Sequence, residues 1–104
     1  MGKVQITVKG SVSELRSALQ SFCIDEGARL SGRLDKGENP DFFSLSVRLK
    51  DERNRYKPAG KVSAQKLQQD RVLVTFLLEQ APFTSFMDGF VARLIQQGFS
   101  PRGL

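Results

Sequence analysis

Residues 72–98 read VLVTFLLEQAPFTSFMDGFVARLIQQG, and they contain the two clearest secondary-structure elements of the chain. The first seven are apolar on both alternating sides except at Thr75, which is typical of a strand in the centre of a sheet. The remainder repeats apolar residues at helical spacing, which predicts an amphipathic helix that packs on that sheet and ends at Gly98. The apolar stripe of this helix consists of Phe83, Phe86, Met87, Phe90, Val91, Leu94 and Ile95.

The N-terminal part predicts a strand followed by a second amphipathic helix. Residues 4–8 alternate between apolar and polar side chains, the period of a strand with one buried face. Ser11 precedes Glu14 by three residues, which is the spacing of a capping box at a helix N-terminus. Gly27 supplies the left-handed residue that ends this helix. Its predicted apolar side contains Val12, Leu15, Leu19, Phe22 and Cys23.

Between the two helices the sequence predicts further strands separated by turns. Alternation over residues 29–34 and 42–50 indicates a hairpin, and its connecting residues 35–41 are rich in turn formers. Residues 51–61 hold few apolar side chains and include Pro58 and Gly60, so we expect an exposed loop there. Residues 62–67 predict a weaker strand, residues 68–70 a turn, and residues 100–104 a frayed tail.

These elements predict an α+β fold: a two-layer sandwich in which two helices cover one face of a mostly antiparallel sheet of four or five strands. The expected order is βαββ(β)βα, and residues 1–104 are expected to form a single domain. The helices would cover Val4, Ile6, Val8, Leu30, Leu34, Phe43, Leu45, Val47 and Leu49. The opposite, open face would carry Lys3, Gln5, Thr7, Lys9, Arg29, Ser31, Arg33, Ser44, Ser46, Arg48 and Lys50.

The composition favours a soluble protein of the cytoplasm. No apolar run approaches the ~20 residues that span a bilayer, so we expect no membrane partner. The polar alternation at the N-terminus is unlike a signal peptide. One cysteine among 104 residues permits no intrachain disulfide, which fits a reducing compartment.

The residue types argue against an enzyme. The chain has no histidine, which removes the commonest acid–base group and all histidine metal ligands. Cys23 lies on the apolar side of the first predicted helix, where a thiol is usually a small core residue. Gly60 and Lys61 resemble the end of a phosphate-binding loop, but Arg55 stands where its leading glycine belongs. We therefore predict no catalytic residue, no metal and no cofactor.

The positive charge is confined to one segment. Residues 48–71 carry eight Lys or Arg and three Asp or Glu, whereas the rest of the chain is neutral, so this segment holds the whole net charge of +5. Clustered cations around Tyr56, an aromatic ring that is able to stack, are typical of a surface that binds polyanions. The predicted nucleic-acid or anion-binding residues are Arg48, Lys50, Arg53, Arg55, Tyr56, Lys57 and Lys61.

Three interpretations of this charge remain open. The first is a non-enzymatic binding module whose basic loop docks on an anionic partner, either nucleic acid, which we favour, or an acidic protein surface. The second is a protein-interaction or regulatory domain that pairs with itself or with a larger protein and has no nucleic-acid role. The third is a loop whose charges serve only solubility. A basic loop continuous with the open sheet face favours the first, whereas separated cations favour the second.

Overall fold

A computed structural model describes residues 2–31 and 41–103 of the chain. The strands form one antiparallel sheet in the order β2-β3-β4-β5-β1-β6. Both helices pack against the same face, so the predicted α+β two-layer fold is confirmed, with six strands in place of four or five. The elements are β1 (Gly2–Lys9), α1 (Val12–Glu26), β2 (Arg29–Ser31), β3 (Phe42–Lys50), β4 (Tyr56–Gln68), β5 (Arg71–Leu78), α2 (Pro82–Gln96) and β6 (Arg102–Gly103).

The helix α1 begins and ends where the sequence predicts. The Ser11 hydroxyl accepts the N–H of Glu14 at 3.1 Å and donates to the Glu14 carboxylate at 3.0 Å. One bond of the expected capping box is therefore present, and the second bond joins the two side chains. At the other end Gly27 has a left-handed φ of 69°, and the N–H of Ala28 donates to the carbonyl of Cys23.

The helix α2 packs on the sheet through the predicted apolar stripe. Not every residue of the stripe is buried by this contact. Phe83, Phe90 and Leu94 have no exposed surface. Ile95 is 63% exposed because it lies about 120° around the helix from Phe83, at the edge of the stripe. The helix ends as expected, since the N–H of Phe99 donates to the carbonyl of Leu94 at 3.0 Å.

The strand β5 lies inside the sheet between β4 and β1, as its apolar sequence predicts. Val72, Val74 and Phe76 are completely buried beneath the helices. Leu34 and Arg33, with residues 35–40 of the predicted turn, lie outside the described residues. The remaining predicted core positions of the sheet are buried or partly buried: Val4, Ile6, Val8, Leu30, Phe43, Leu45, Val47 and Leu49.

The prediction of an exposed loop over residues 51–61 is wrong for its second half, because β4 begins at Tyr56. Pro58 is tolerated because it lies at a β-bulge, where Ala59 has no partner on β3, and in a part of β4 that β5 does not reach. Gly60 is required by a close contact, since a Cβ there would lie 2.5 and 2.6 Å from two ring carbons of Phe83. Proline and glycine therefore mark a bulge and a helix contact in this segment.

The prediction of a frayed tail is also wrong for its described part. Arg102–Gly103 pairs with β1 as β6 and adds a sixth strand at the edge of the sheet. The N–H of Lys9 donates to the carbonyl of Phe99 at 2.6 Å and holds the chain against β1 just before this pairing. A strand of two residues has no periodicity from which a sequence could predict it.

Candidate nucleic-acid interface

Acidic and basic side chains are separated between the helices and the sheet. Over the described residues, none of the six strands contains an Asp or a Glu, whereas the strands contain ten of the 16 Lys and Arg. The two helices carry four carboxylates and two cations. The sheet is therefore the basic layer of the molecule, and the helices form the acidic layer.

The strand register places most of these cations on the face that the helices leave open. Residues directly opposite each other in antiparallel strands share a face of the sheet. Lys57 is opposite Leu49 and Lys66 is opposite buried Val72, so both lie on the covered side. The other eight lie on the open face: Lys3, Lys9, Arg29, Arg48, Lys50, Lys61, Arg71 and Arg102.

The densest group lies where β2, β3 and β4 run side by side, and we call it the Tyr56 cluster: Arg29, Arg48, Lys50, Tyr56 and Lys61. Arg29 is opposite Arg48, and Lys50 is opposite Tyr56. The Arg29 guanidinium lies 4.1 Å from the centre of the Tyr56 ring, and the Lys50 ammonium lies 6.0 Å from it. Both are cation–π distances, so the ring stabilises two like charges close to each other.

The turn between β3 and β4, residues 51–55, adjoins the Tyr56 cluster and is organised by Asp51. The Asp51 carboxylate accepts the N–H of Arg53 at 2.8 Å and the N–H of Arg55 at 2.9 Å, and it pairs with the Lys57 ammonium at 3.3 Å. The N–H of Arg55, and then Arg53 and Lys57, lower the pKa of Asp51 from its usual value. Both arginines line a shallow depression of about 490 Å³ together with Glu52, Lys57 and Pro82, the first residue of α2.

The seven residues predicted from sequence fall into two adjacent groups. Arg48, Lys50, Tyr56 and Lys61 belong to the Tyr56 cluster on the open face. The other three lie in or beside the turn, and Lys57 alternates to the covered side of β4. The turn begins directly after Lys50 and ends directly before Tyr56, so Arg53 and Arg55 follow the open-face residues along the chain, but Asp51 and Glu52 of the same turn balance their formal charge.

Sequence reasoning did not include Arg29 in the site. Alternation along the chain puts Arg29 on the open face, and the predicted hairpin pairs its strand with β3, but only the observed register puts Arg29 beside Arg48 and over the Tyr56 ring. Arg71 and Arg102 were also missed. Arg102 was not assigned to the site because residues 100–104 were expected to form a frayed tail. The pairing of β6 with β1 brings Arg102 to the open face.

Between its charged ends the open face is polar, with a few exposed apolar side chains. The Gln5 amide donates to the Thr75 hydroxyl at 3.3 Å, and the hydroxyls of Ser63 and Ser44 are 3.2 Å apart. Phe42 is 44% exposed and gives this face a second aromatic ring. The open face therefore combines cations, hydroxyl and amide groups, and two rings.

The thiol of Cys23 lies in the hydrophobic core between α1 and the sheet. Cys23 is buried, and burial raises the pKa of its thiol to about 12, so the thiol stays protonated near neutral pH. Within residues 2–31 and 41–103, no group of three or more His, Cys, Asp or Glu is placed to hold a metal ion. Neither helix in the described part of the chain is long and apolar enough to cross a membrane.

No protein-family model, curated protein or solved structure matches this chain. Its function is therefore inferred from its own side chains and from the way the sheet arranges them. The open face is the surface on which that inference rests, because eight of the ten cations of the described strands lie there.

Proposed function

We propose that the protein is a non-enzymatic module that binds single-stranded nucleic acid on the open face of its sheet. Two observations together carry the proposal. Eight cations lie on that face, and none of the described strands contains an Asp or a Glu. Carboxylates within a basic surface compete with phosphates for the cations. A face without them leaves its positive charge available to a phosphate backbone.

The distribution of charge over the two layers also favours a one-sided electrostatic encounter. The helices carry twice as many carboxylates as cations, and they lie behind the sheet. A polyanion is therefore repelled weakly from the helical side and attracted to the open face. Association through phosphate contacts would depend steeply on salt and would discriminate little among sequences.

The aromatic rings of the open face favour a single strand over a duplex. Unpaired bases stack on aromatic rings and on guanidinium planes, whereas a duplex keeps its bases stacked inside. The open face offers the exposed ring of Phe42 and the half-buried ring of Tyr56, which lies under the Arg29 guanidinium. Stacking at these positions, added to phosphate contacts by Arg48, Lys50 and Lys61, is the expected mode of binding.

The turn cations have a supporting role in this proposal. Arg53 and Arg55 lie beyond the end of the sheet, in a turn where Asp51 and Glu52 balance their formal charge. Lys57 contributes least, because it is paired with Asp51 on the covered side. The prediction of a cytoplasmic location is retained as part of this proposal.

The direct test compares the affinity of the protein for a labelled single strand of about 15 nucleotides with its affinity for the matching duplex, by fluorescence anisotropy at about 50 mM salt. The triple variant Arg29→Ala, Arg48→Ala, Lys61→Ala is expected to lose at least about tenfold in affinity for the single strand. Absence of binding by the wild type, even at low salt, would reject the proposal and favour a protein-interaction domain.

A matched pair on one strand serves as the control. Lys61→Ala and Lys66→Ala remove the same charge from β4, but Lys61 lies on the open face and Lys66 on the covered side, 3.9 Å from the Asp41 carboxylate. Only Lys61→Ala is expected to weaken binding. Equal losses for the two variants would indicate binding to net charge in general, with no role for the open face.

A further inference from the structure

A second group of cations lies on the open face at the opposite end of the sheet from the Tyr56 cluster. Lys9 is opposite Arg71 on β5, and Arg102 is opposite Thr7 on β1. Together with Gln68 and Ser100 these cations line a depression of about 500 Å³. We call Lys9, Arg71 and Arg102 the Lys9 cluster.

The fold brings this cluster together from three distant parts of the chain. Arg71 is the first residue of β5, directly after the β4–β5 turn. Arg102 lies in β6, which the segment after α2 forms alongside β1. The N–H of Gly10 donates to the carbonyl of Asp70 at 2.9 Å, which fixes the turn against the end of β1. Asp70 also lines the depression, so the site contains three cations and one carboxylate and keeps a positive charge.

The Tyr56 ring is separated from the Lys9 cluster by almost the full length of β4, whereas Lys61, also in the Tyr56 cluster, lies about halfway along this strand. Tyr56 and Gln68 are the first and last residues of this strand, and at ~3.3 Å per residue with two bulges its ends lie roughly 35 Å apart. The longest dimension of the molecule is 43 Å. The face between the clusters carries the Gln5–Thr75 and Ser44–Ser63 contacts and the exposed ring of Phe42.

We propose that the Lys9 cluster is a second phosphate-binding subsite, so that one nucleic-acid strand lies along the sheet from the Tyr56 cluster to the Lys9 cluster. This inference rests on the proposed function and adds the path and the length of the ligand. At the stacked rise of ~3.4 Å per nucleotide, about ten nucleotides span the distance from Tyr56 to the Lys9 cluster, and an extended strand needs fewer. This length falls within the ~4–16 nucleotides of known single-strand sites.

A strand long enough to reach both clusters binds the second one intramolecularly. Its affinity therefore rises more steeply with length than the number of available binding positions alone would give. A strand of about four nucleotides occupies one cluster at a time and gains nothing from the other.

The test is a length series of single strands of about 4, 8, 12 and 16 nucleotides, titrated into the wild type and into the variant Lys9→Ala, Arg71→Ala, Arg102→Ala. We expect the ratio of 12-mer to 4-mer affinity to be about tenfold or more greater in the wild type than in the variant. The variant is expected to keep most of its affinity for the 4-mer through the Tyr56 cluster, which also reports that it is folded.

The charge reversal Arg102→Glu is the second variant, because it changes one exposed residue of an edge strand and leaves β5 intact. It is expected to reduce the affinity for the 12-mer and to leave that for the 4-mer nearly unchanged. If both variants keep the wild-type ratio of affinities, the Lys9 cluster is not a subsite, and the proposed function stands without it. If the wild type binds no strand of any length, the proposed function itself is rejected.

Discussion

Alternate residues of the same strands lie on two different faces of the sheet. The covered face holds the buried apolar side chains, and the open face holds most of the charged ones. On β5, Val72, Val74 and Phe76 are completely buried, whereas Leu73 and Thr75, one residue away, are only partly covered. The covered side supplies the apolar burial that drives folding. The open side carries the eight cations and little packing. Substitutions one residue apart should therefore affect different properties of the protein.

The largest difference in the loss of unfolding free energy is expected between two Phe→Ala substitutions, one on the covered side and one on the open face. Phe90 is fully buried, with its ring centre 5.7 Å from that of Phe22 and 6.3 Å from that of Phe76. Its loss leaves a cavity and should lower the free energy of unfolding by ~3–5 kcal/mol. Phe42→Ala, on the open face, should cost about 1 kcal/mol. Equal shifts in urea titrations would show that the open face is packed as tightly as the covered one.

A smaller difference is expected between two glycines of the sheet. Gly60→Ala forces a methyl group against the backbone carbonyl of Leu77 and into the Phe83 ring, and it should cost ~1–3 kcal/mol through overpacking. At Gly103, in the edge strand β6, a Cβ would meet no atom within 4 Å, so Gly103→Ala should change stability by less than about 0.5 kcal/mol. Thermal unfolding of the two variants measures the difference. A tolerated Gly60→Ala would mean that α2 does not rest on β4 as described.

The smallest of these effects concerns Arg93, which the sequence pattern puts on the outer side of α2. Its guanidinium lies 2.8 Å from the Asp25 carboxylate and 5.2 Å from the centre of the Phe22 ring, so it joins the two helices. Arg93→Ala should cost about 1 kcal/mol. Lys61→Ala on the open face should leave stability within about 0.5 kcal/mol. A double-mutant cycle with Asp25→Ala that shows no coupling would contradict the contact between the helices.

The regular elements were predictable because their periodicity is local. The stripe of α2, the apolar run of β5 and the caps at Ser11 and Gly27 each depend on residues within a few positions of one another. Alternation alone also assigned the covered and open faces of β1 and β3. These features therefore depend little on contacts between distant segments.

The extent of β4, the presence of β6 and the membership of the site depend on pairing between distant segments. Pro58 and Gly60 read as loop residues because the bulge and the Phe83 contact that accommodate them are not local. The position of Arg29 over Tyr56 follows from the register of β2 against β3 and of β3 against β4, which the predicted hairpin did not specify. A count of charge along the chain therefore identified residues 48–71 as basic, but this segment contains only half of the eight cations of the open face.

The most direct test of the central claim, that the open-face cations bind the phosphate backbone, is the salt dependence of single-strand affinity between about 50 and 200 mM. Each phosphate contact on a single strand contributes about −0.7 to the slope of log affinity against log salt. The triple variant Arg29→Ala, Arg48→Ala, Lys61→Ala should therefore have a slope smaller in magnitude by about 2, whereas Lys66→Ala should keep the wild-type slope. An unchanged slope in the triple variant, or no binding at the lowest salt, would contradict the account.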